Sequence, residues 1–434
     1  MPLLNGRQLK RIFDYYCPFD DRGELKPENQ RVTILAANAN SPVEMFARAF
    51  AMAAAQKSGS PVIVQLSHNA ILLAGSDGRA IKPIEGVQRD PRGNPATEGA
   101  ILTHTAIEAL AGQFDARLMS VSLDHFKVPK FEPGAAPDFD ESSPAAKVAE
   151  ARVKHASEYM APVFGDDAKY DEKTLREYIK YLCSPVYLKF KQDFLGVIMA
   201  IHPAWGMIDT EKLTPLLDFV VTRDISDAVR REIGDRDVLI EAEFGATGVS
   251  GQPLDYKPVR GKELEDFAHR VARFLNYTGA DGVAYPIGME HAAKAHEKHD
   301  PDVERLKVVG GTVIRECGRY VPFVQHGGTG AAQVARGLVG KNNINTKFLV
   351  VAANNLADHV QANLSGIRAG DKDFCGVKIY NDATLAMARA AVDKLIEGGG
   401  YDVGGELEPV VFGSPASPRA AGPAAPAGGP LVGE

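Results

Sequence analysis

The stretch "GKELEDFAHRVARFLNYTGADGVAYPIG", Gly261–Gly288, holds the unit from which the fold is read. In its first part Leu264, Phe267, Val271 and Phe274 recur at three- and four-residue intervals, which puts them along one face of a helix. Beyond the glycine break, "GVAYPIG" is short and nearly unbroken in its apolar character, as expected of a parallel strand covered on both faces. The same alternation extends both ways along the chain. Towards the N-terminus lie the β-rich runs "VTILAANA" (Val32–Ala39), "PVIVQLS" (Pro61–Ser67), "RLMSVSLDH" (Arg117–His125), "GVIMAIHPAW" (Gly196–Trp205) and "DVLIEAEFG" (Asp237–Gly245). Towards the C-terminus lie "VPFVQHGG" (Val321–Gly328) and "GVKIYND" (Gly376–Asp382). Helical patterns separate them, one of which, "SPVEMFARAFAMAAAQKSG", opens with Ser41 as N-cap and Pro42 at the first position.

Eight such runs with helical crossovers predict an α/β protein, a (β/α)8 TIM barrel, with a doubly wound sheet as the rival. The expected organisation is one barrel domain over residues 1–412, with insertions at about 126–194 after the third strand and about 340–374 after the seventh. Residues 413–434, rich in Pro, Ala and Gly, offer too little apolar surface to offset their ordering entropy and are expected to form a disordered tail.

Composition narrows the function. The chain has 434 residues, 45% hydrophobic and 24% charged, enough for a sizeable core. A net charge of -7 argues against a broad basic surface for nucleic acid. No run approaches the roughly 18 apolar residues of a membrane span, and "MPLLNGRQLKRIFDYY" is too charged for a secretory signal. Cys17, Cys183, Cys317 and Cys375 are scattered without C-x-x-C spacing, so the expectation is a reduced, cytoplasmic protein without a disulfide framework or thiolate metal site.

Chemistry-bearing residues gather at strand ends. His125 closes the third run in "SLDHF", His291 follows the sixth in "PIGMEHAA", and His326 closes the seventh. All three are expected at the C-terminal rim of the barrel, where three neutral imidazoles suit zinc or a similar divalent ion with a position left for substrate. His296 and His299, in the charged stretch "HAAKAHEKHD", read instead as solvated surface residues. Asp124 precedes His125, and Asp209 follows the fourth run in "WGMID". Glu241 and Glu243 share one face of the fifth, where an inward carboxylate needs a cation or donors. The loop "HGGTG", with Gly327, Gly328, Thr329 and Gly330, can bring backbone N–H groups close to a phosphate. "YNDAT", with Asn381, Asp382 and Thr384, is expected to join it from the end of the eighth strand.

At these residues the sequence resembles the class II, metal-dependent ketose-bisphosphate aldolases, typified by fructose-bisphosphate aldolase. The resemblance rests on "SPVIVQLS", "LDH", "MID", "EAEFGATG", "IGMEHA", "HGGTG" and "GVKIYNDAT", spread from about Val32 to Ala388. It implies that Asp124 is the acid/base and that His125, His291 and His326 bind zinc. It further implies that Asp209 and Glu243 are accessory metal carboxylates, that Gly327 and Thr329 contact phosphate, and that Asn38 and Ser67 face the substrate. The activity implied is reversible aldol cleavage of a ketose phosphate, foremost fructose 1,6-bisphosphate to dihydroxyacetone phosphate and glyceraldehyde 3-phosphate, in glycolysis and gluconeogenesis. A divalent metal, zinc above all, a monovalent cation and a cytoplasmic homo-oligomer, dimer or tetramer, come with it.

The sequence departs from the family's pattern in several places. After the fifth strand the family carries glutamate on a mobile loop, one acting as base, whereas this chain reads "GVSGQPLDY", with Ser250 and Gly251. Ala292 follows His291 in place of the usual glycine, and Tyr380 takes the usual asparagine position of an N-x-D-T pattern. Asp255 and Glu290 are the candidates for the unassigned base. A metal-dependent sugar-phosphate isomerase or epimerase, and a non-catalytic aldolase homologue, are the alternatives at this point.

Overall fold

The architecture comes from a computed structural model that describes residues 3–40, 42–75, 94–245, 248–249, 256–291, 299–331, 334–375 and 378–413. Eight parallel strands close into a barrel: β1 (Ile34–Asn38), β2 (Val62–Ser67), β3 (Met119–Lys127), β4 (Trp205–Asp209), β5 (Leu239–Glu243), β6 (Gly282–Ala284), β7 (Phe323–Gln325) and β8 (Val339–Ile344). Each pairs with its sequence neighbour, and β8 closes the ring on β1 through Ile34↔Lys341 and Ala36↔Asn343. A two-residue ribbon, Gly248–Val249 with Glu290–His291, stands apart from the barrel.

The helices are α1 (Gly6–Tyr15), α2 (Val43–Ala54), α3 (His68–Ala74), α4 (Pro95–Phe114), α5 (Pro144–Phe164), α6 (Glu172–Cys183), α7 (Pro185–Ile201) and α8 (Pro215–Asp227). They continue with α9 (Lys262–Thr278), α10 (Val303–Cys317), α11 (Thr346–Ala362), α12 (Leu364–Arg368), α13 (Lys378–Gly398) and α14 (Gly404–Phe412). Most pack on the outer faces of the strands around residues such as Val62, Val64, Val121 and Leu123. Inside the barrel the lower half is apolar, built from Ile34, Ala36, Ile63, Trp205, Leu239 and Val324. α1 caps that end with Leu9, Ile12 and Phe13, whose ring lies 5.4 Å from Trp205. The upper half of the interior is polar, with Gln65, Ser122, Glu241 and Lys341 all buried.

Two strands differ from the sequence reading. "GVIMAI" belongs to α7, because Phe190, Phe194, Val197, Ile198 and Ile201 are buried at helical spacing. His202, left-handed at φ 41°, ends that helix, Pro203 cannot extend it, and the strand begins at Trp205. The expected insertion at 126–194 is therefore helical in α5, α6 and most of α7. The eighth strand is "VGKNNI", Val339–Ile344, all but its first residue within the segment expected as the 340–374 insertion. "KIYND" instead opens α13, whose Ala383, Met387, Ala391 and Leu395 are buried at helical spacing. No apolar run marks β8 in the sequence, because its inward residues are Lys341 and Asn343. Pro42, not Ser41, is the N-cap of α2. Residues 414–434 of the expected tail lie outside the described residues.

Candidate active site

Consecutive strand residues normally face opposite sides, yet Asp124 and His125 both line one cavity at the top of the barrel. A β-bulge achieves this. The register between β3 and β4 runs Leu123↔Gly206 and then Phe126↔Ile208, so β3 carries one extra residue. His125 takes up the slack with φ 46°, a left-handed conformation costly for a non-glycine residue, and its N–H donates to Met207 Sδ at 3.3 Å.

Asp124 sits in a cage of amides. Asn38 Nδ2 donates to one carboxyl oxygen at 2.8 Å, and Gln65 Nε2 donates to the other at 2.9 Å, joined by Asn343 Nδ2 at 3.4 Å. Donors from β1, β2 and β8 thus fix the plane of a carboxyl group that is only 4% exposed.

The two imidazoles lie across from each other, ring centres 4.8 Å apart. His125 Nδ1 is 3.1 Å from Asp209 Oδ2. Burial alone would lower the His125 pKa, but Asp124, Asp209 and Glu243 outweigh it and raise it to about 10. Asp209 is correspondingly held below the usual carboxylate range by His125, against the upward push of burial. His326 Nε2 stands 3.1 Å from Glu241 Oε1, and its Nδ1 is 3.7 Å from Glu243 Oε1. Burial would raise Glu241, yet Lys341 and His326 pull it down to about 2. Burial, with Asp209 adding to it, pushes Glu243 up to about 8.

In kind these groups suit a divalent cation such as zinc, with two imidazoles and two carboxyl groups from four strands at the upper end of the barrel. Among the described residues no three His, Cys, Asp or Glu side chains form a metal-binding group. The third expected ligand, His291, is described only in its backbone, paired beside Val249, and its side chain lies outside the described residues. Asp255 and His296 lie outside them as well, as does the side chain of Glu290.

The cavity has a volume of about 400 Å³. Of the residues expected from sequence, Asn38, Ser67, Asp209 and His326 line it together with Asp124 and His125. Gly327 and Thr329 form part of its wall, where Gly327 is left-handed at φ 68° and starts the one-turn helix Gly328–Gly330. Gly328 is required for closeness, since a Cβ there would sit 2.0 Å from Asn342 Oδ1. Ser67 also caps α3 by accepting from Ala70 N–H. His299, expected at the surface, is half-buried, with its N–H bonded to Gly330 O at 2.8 Å.

Asn381, Asp382 and Thr384 do not reach this cavity. Asn381 and Asp382 are exposed on α13, Asp382 facing His359, and the Thr384 hydroxyl donates to Tyr380 O within the helix. Their expected place is taken by Asn343, Asn345 and Thr346. The signal was in the sequence, for Asn343-x-Asn345-Thr346 repeats the form sought in "YNDAT", at the end of β8. Lys127, His68, Asn69 and Glu211 also line the cavity without having been anticipated.

Known proteins match this arrangement at two levels. Residues 207–399 match the family model described as fructose-bisphosphate aldolase class-II, a segment running from β4 through α13. Asp124 and His125 lie outside that segment, and the barrel brings them to it. The chain is similar in structure to a fructose-bisphosphate aldolase from Campylobacter jejuni, at 15% identity and TM-score 0.58, covering 92% of this chain and 96% of that one. A likeness to the YdjI aldolase from Escherichia coli K12 has 14% identity and TM-score 0.47, covering 90% and 97%. No curated protein sequence matches the chain. Residues 207–399 thus carry the sequence likeness to the class II fructose-bisphosphate aldolase family, and over the whole chain the closed barrel is the fold shared with a fructose-bisphosphate aldolase.

Proposed function

We propose that the protein is a divalent-metal aldolase that cleaves and forms a C–C bond in a phosphorylated ketose, fructose 1,6-bisphosphate foremost. The observation that carries this is the shared cavity: Asp124 in its amide cage, the facing His125 and His326, and Gly327 and Thr329 of the glycine loop all open on it. His125, His326 and His291 would hold the metal, with Asp209 and Glu243 beside it. When bound, the metal supplies Lewis-acid polarisation of the ketone carbonyl and offsets negative charge that develops there. The chain's own groups do the rest. Gly327 and Thr329 bind the phosphate and so fix the reacting carbons. Asp124, its plane set by Asn38, Gln65 and Asn343, takes the proton from the hydroxyl that becomes the aldehyde and returns it in the condensation direction. For the proton at the ketone's α-carbon the candidates are Asp255, Glu290 and Glu211, the last opening into the cavity.

Metal analysis of the purified protein, paired with a cleavage assay over a panel of ketose phosphates, tests the reading. Stoichiometric divalent metal and chelator-sensitive cleavage of a phosphorylated ketose are expected; metal-free protein or cleavage untouched by chelators sinks it. A cytoplasmic homo-oligomer, dimer or tetramer, belongs to the same proposal and is checked by light scattering and cell fractionation.

A further inference from the structure

Beneath His326 the barrel axis holds an ion pair with no exposed surface: Lys341 Nζ lies 2.6 Å from Glu241 Oε2, both side chains 0% exposed. The Trp205 indole N–H donates to the same oxygen, and Lys341 Nζ also lies 5.2 Å from the centre of the Trp205 ring. The place for that ring is made by Gly282, where a Cβ would meet Trp205 Cζ2 at 2.3 Å. A buried ion pair is a poor stabiliser, because desolvation offsets its attraction and apolar residues of equal volume often serve as well. Its position offers a different reason for it. Both donors crowd one oxygen of Glu241, leaving the other, Oε1, facing His326 Nε2 at 3.1 Å.

We propose that Lys341 and Trp205 are positioning residues that, through Glu241, set the tautomer of His326. A carboxylate oxygen can only accept, so in the neutral ring Nε2 carries the proton and Nδ1 keeps its lone pair. Nδ1 is the nitrogen that faces Glu243, 3.7 Å away. When a divalent cation is bound at this end of the barrel, that lone pair is what His326 would offer it. The inference rests on the metal reading for its purpose, but its geometry is a property of the chain alone.

The test is nitrogen-15 NMR of histidine-labelled protein at alkaline pH, with and without zinc, on the native chain and on Glu241→Gln. In Glu241→Gln the Lys341 and Trp205 donors keep the amide oxygen on their side. The amide NH2 then faces His326, donates to Nε2 and forces the proton to Nδ1. The native ring is expected as the Nε2–H tautomer and the variant ring as Nδ1–H. Zinc affinity, measured by chelator competition, is expected to fall about 10- to 100-fold in the variant. A change acting only on stability would leave the tautomer as it is. A native ring protonated on Nδ1, or a variant that keeps Nε2–H, overturns the proposal. The native measurement alone decides it if Glu241→Gln fails to fold. Native protein that takes up no zinc while the tautomer inverts as described would remove the metal reading and leave the positioning role standing. Zinc uptake without inversion would do the reverse.

Discussion

Asp124 and His125 are neighbours in sequence with separate tasks, and substitution should separate them. Asp124→Ala is expected to keep metal and ligand binding while cleavage falls about 10²-fold or more, because the proton then has no positioned acceptor. Unchanged kcat would reduce the residue to an anchor for Asn38 and Gln65. His125→Ala and His326→Ala should each lose most bound metal while the barrel folds; stoichiometric metal in both would dismiss the site. The pH dependence follows from the raised imidazole. With its folded pKa at about 10, metal-free His125 is protonated near neutrality, and a cation must displace that proton. Metal affinity should therefore rise with pH below about 10 and fall with acid, as read by zinc titration at several pH values. Stability of the metal-free protein runs the other way. A folded pKa above the unfolded value of about 6.5 adds stability that is complete below that value and is lost as pH rises through about 10. Glu243, raised to about 8, acts in the same direction, so the metal-free melting temperature should decline on the alkaline side.

At the level of the element, the glycine loop and the end of β8 are one unit. Gly328→Val places its Cβ against Asn342 Oδ1 and Asn343 O, at 2.0 and 2.8 Å, so the loop and the strand end must part. Phosphorylated ligands should weaken far more than metal does, and inorganic phosphate should cease to compete with substrate. Asn345→Ala should likewise reduce kcat/KM, whereas Asn381→Ala and Asp382→Ala on α13 should leave it unchanged. Equal losses from both sets would contradict the assignment of β8. The sequence made β1, β2, β3, β5 and β7 legible because their apolar runs stand between clear breaks. It also showed the residues at their upper ends. It concealed β8, whose inward Lys341 and Asn343 are tolerable only because Glu241 and Asp124 face them across the barrel. A partner a hundred residues away leaves no local pattern. The cage around Asp124 is half legible for the same reason: the family resemblance singles out Asn38, whereas nothing local marks Gln65. "GVIMAI" misled because a buried helix segment and a buried strand share an apolar run.

Over the whole molecule the barrel divides into an apolar lower storey closed by α1 and a polar upper storey open to solvent. Phe13→Ala, which removes the ring packed on Trp205, should destabilise folding by about 3–5 kcal/mol, measured by urea denaturation. The upper storey has a consequence for the order of events in turnover. Asp124, Asp209, Glu241 and Glu243 gather there as buried acids, with the Lys341 ammonium and, in the metal-free protein near neutrality, the His125 imidazolium among them. On the proposed function, a divalent cation that takes the place of the His125 proton adds positive charge to that floor before a phosphorylated sugar meets it. The proposal therefore implies an order of loading, cation first and sugar phosphate second.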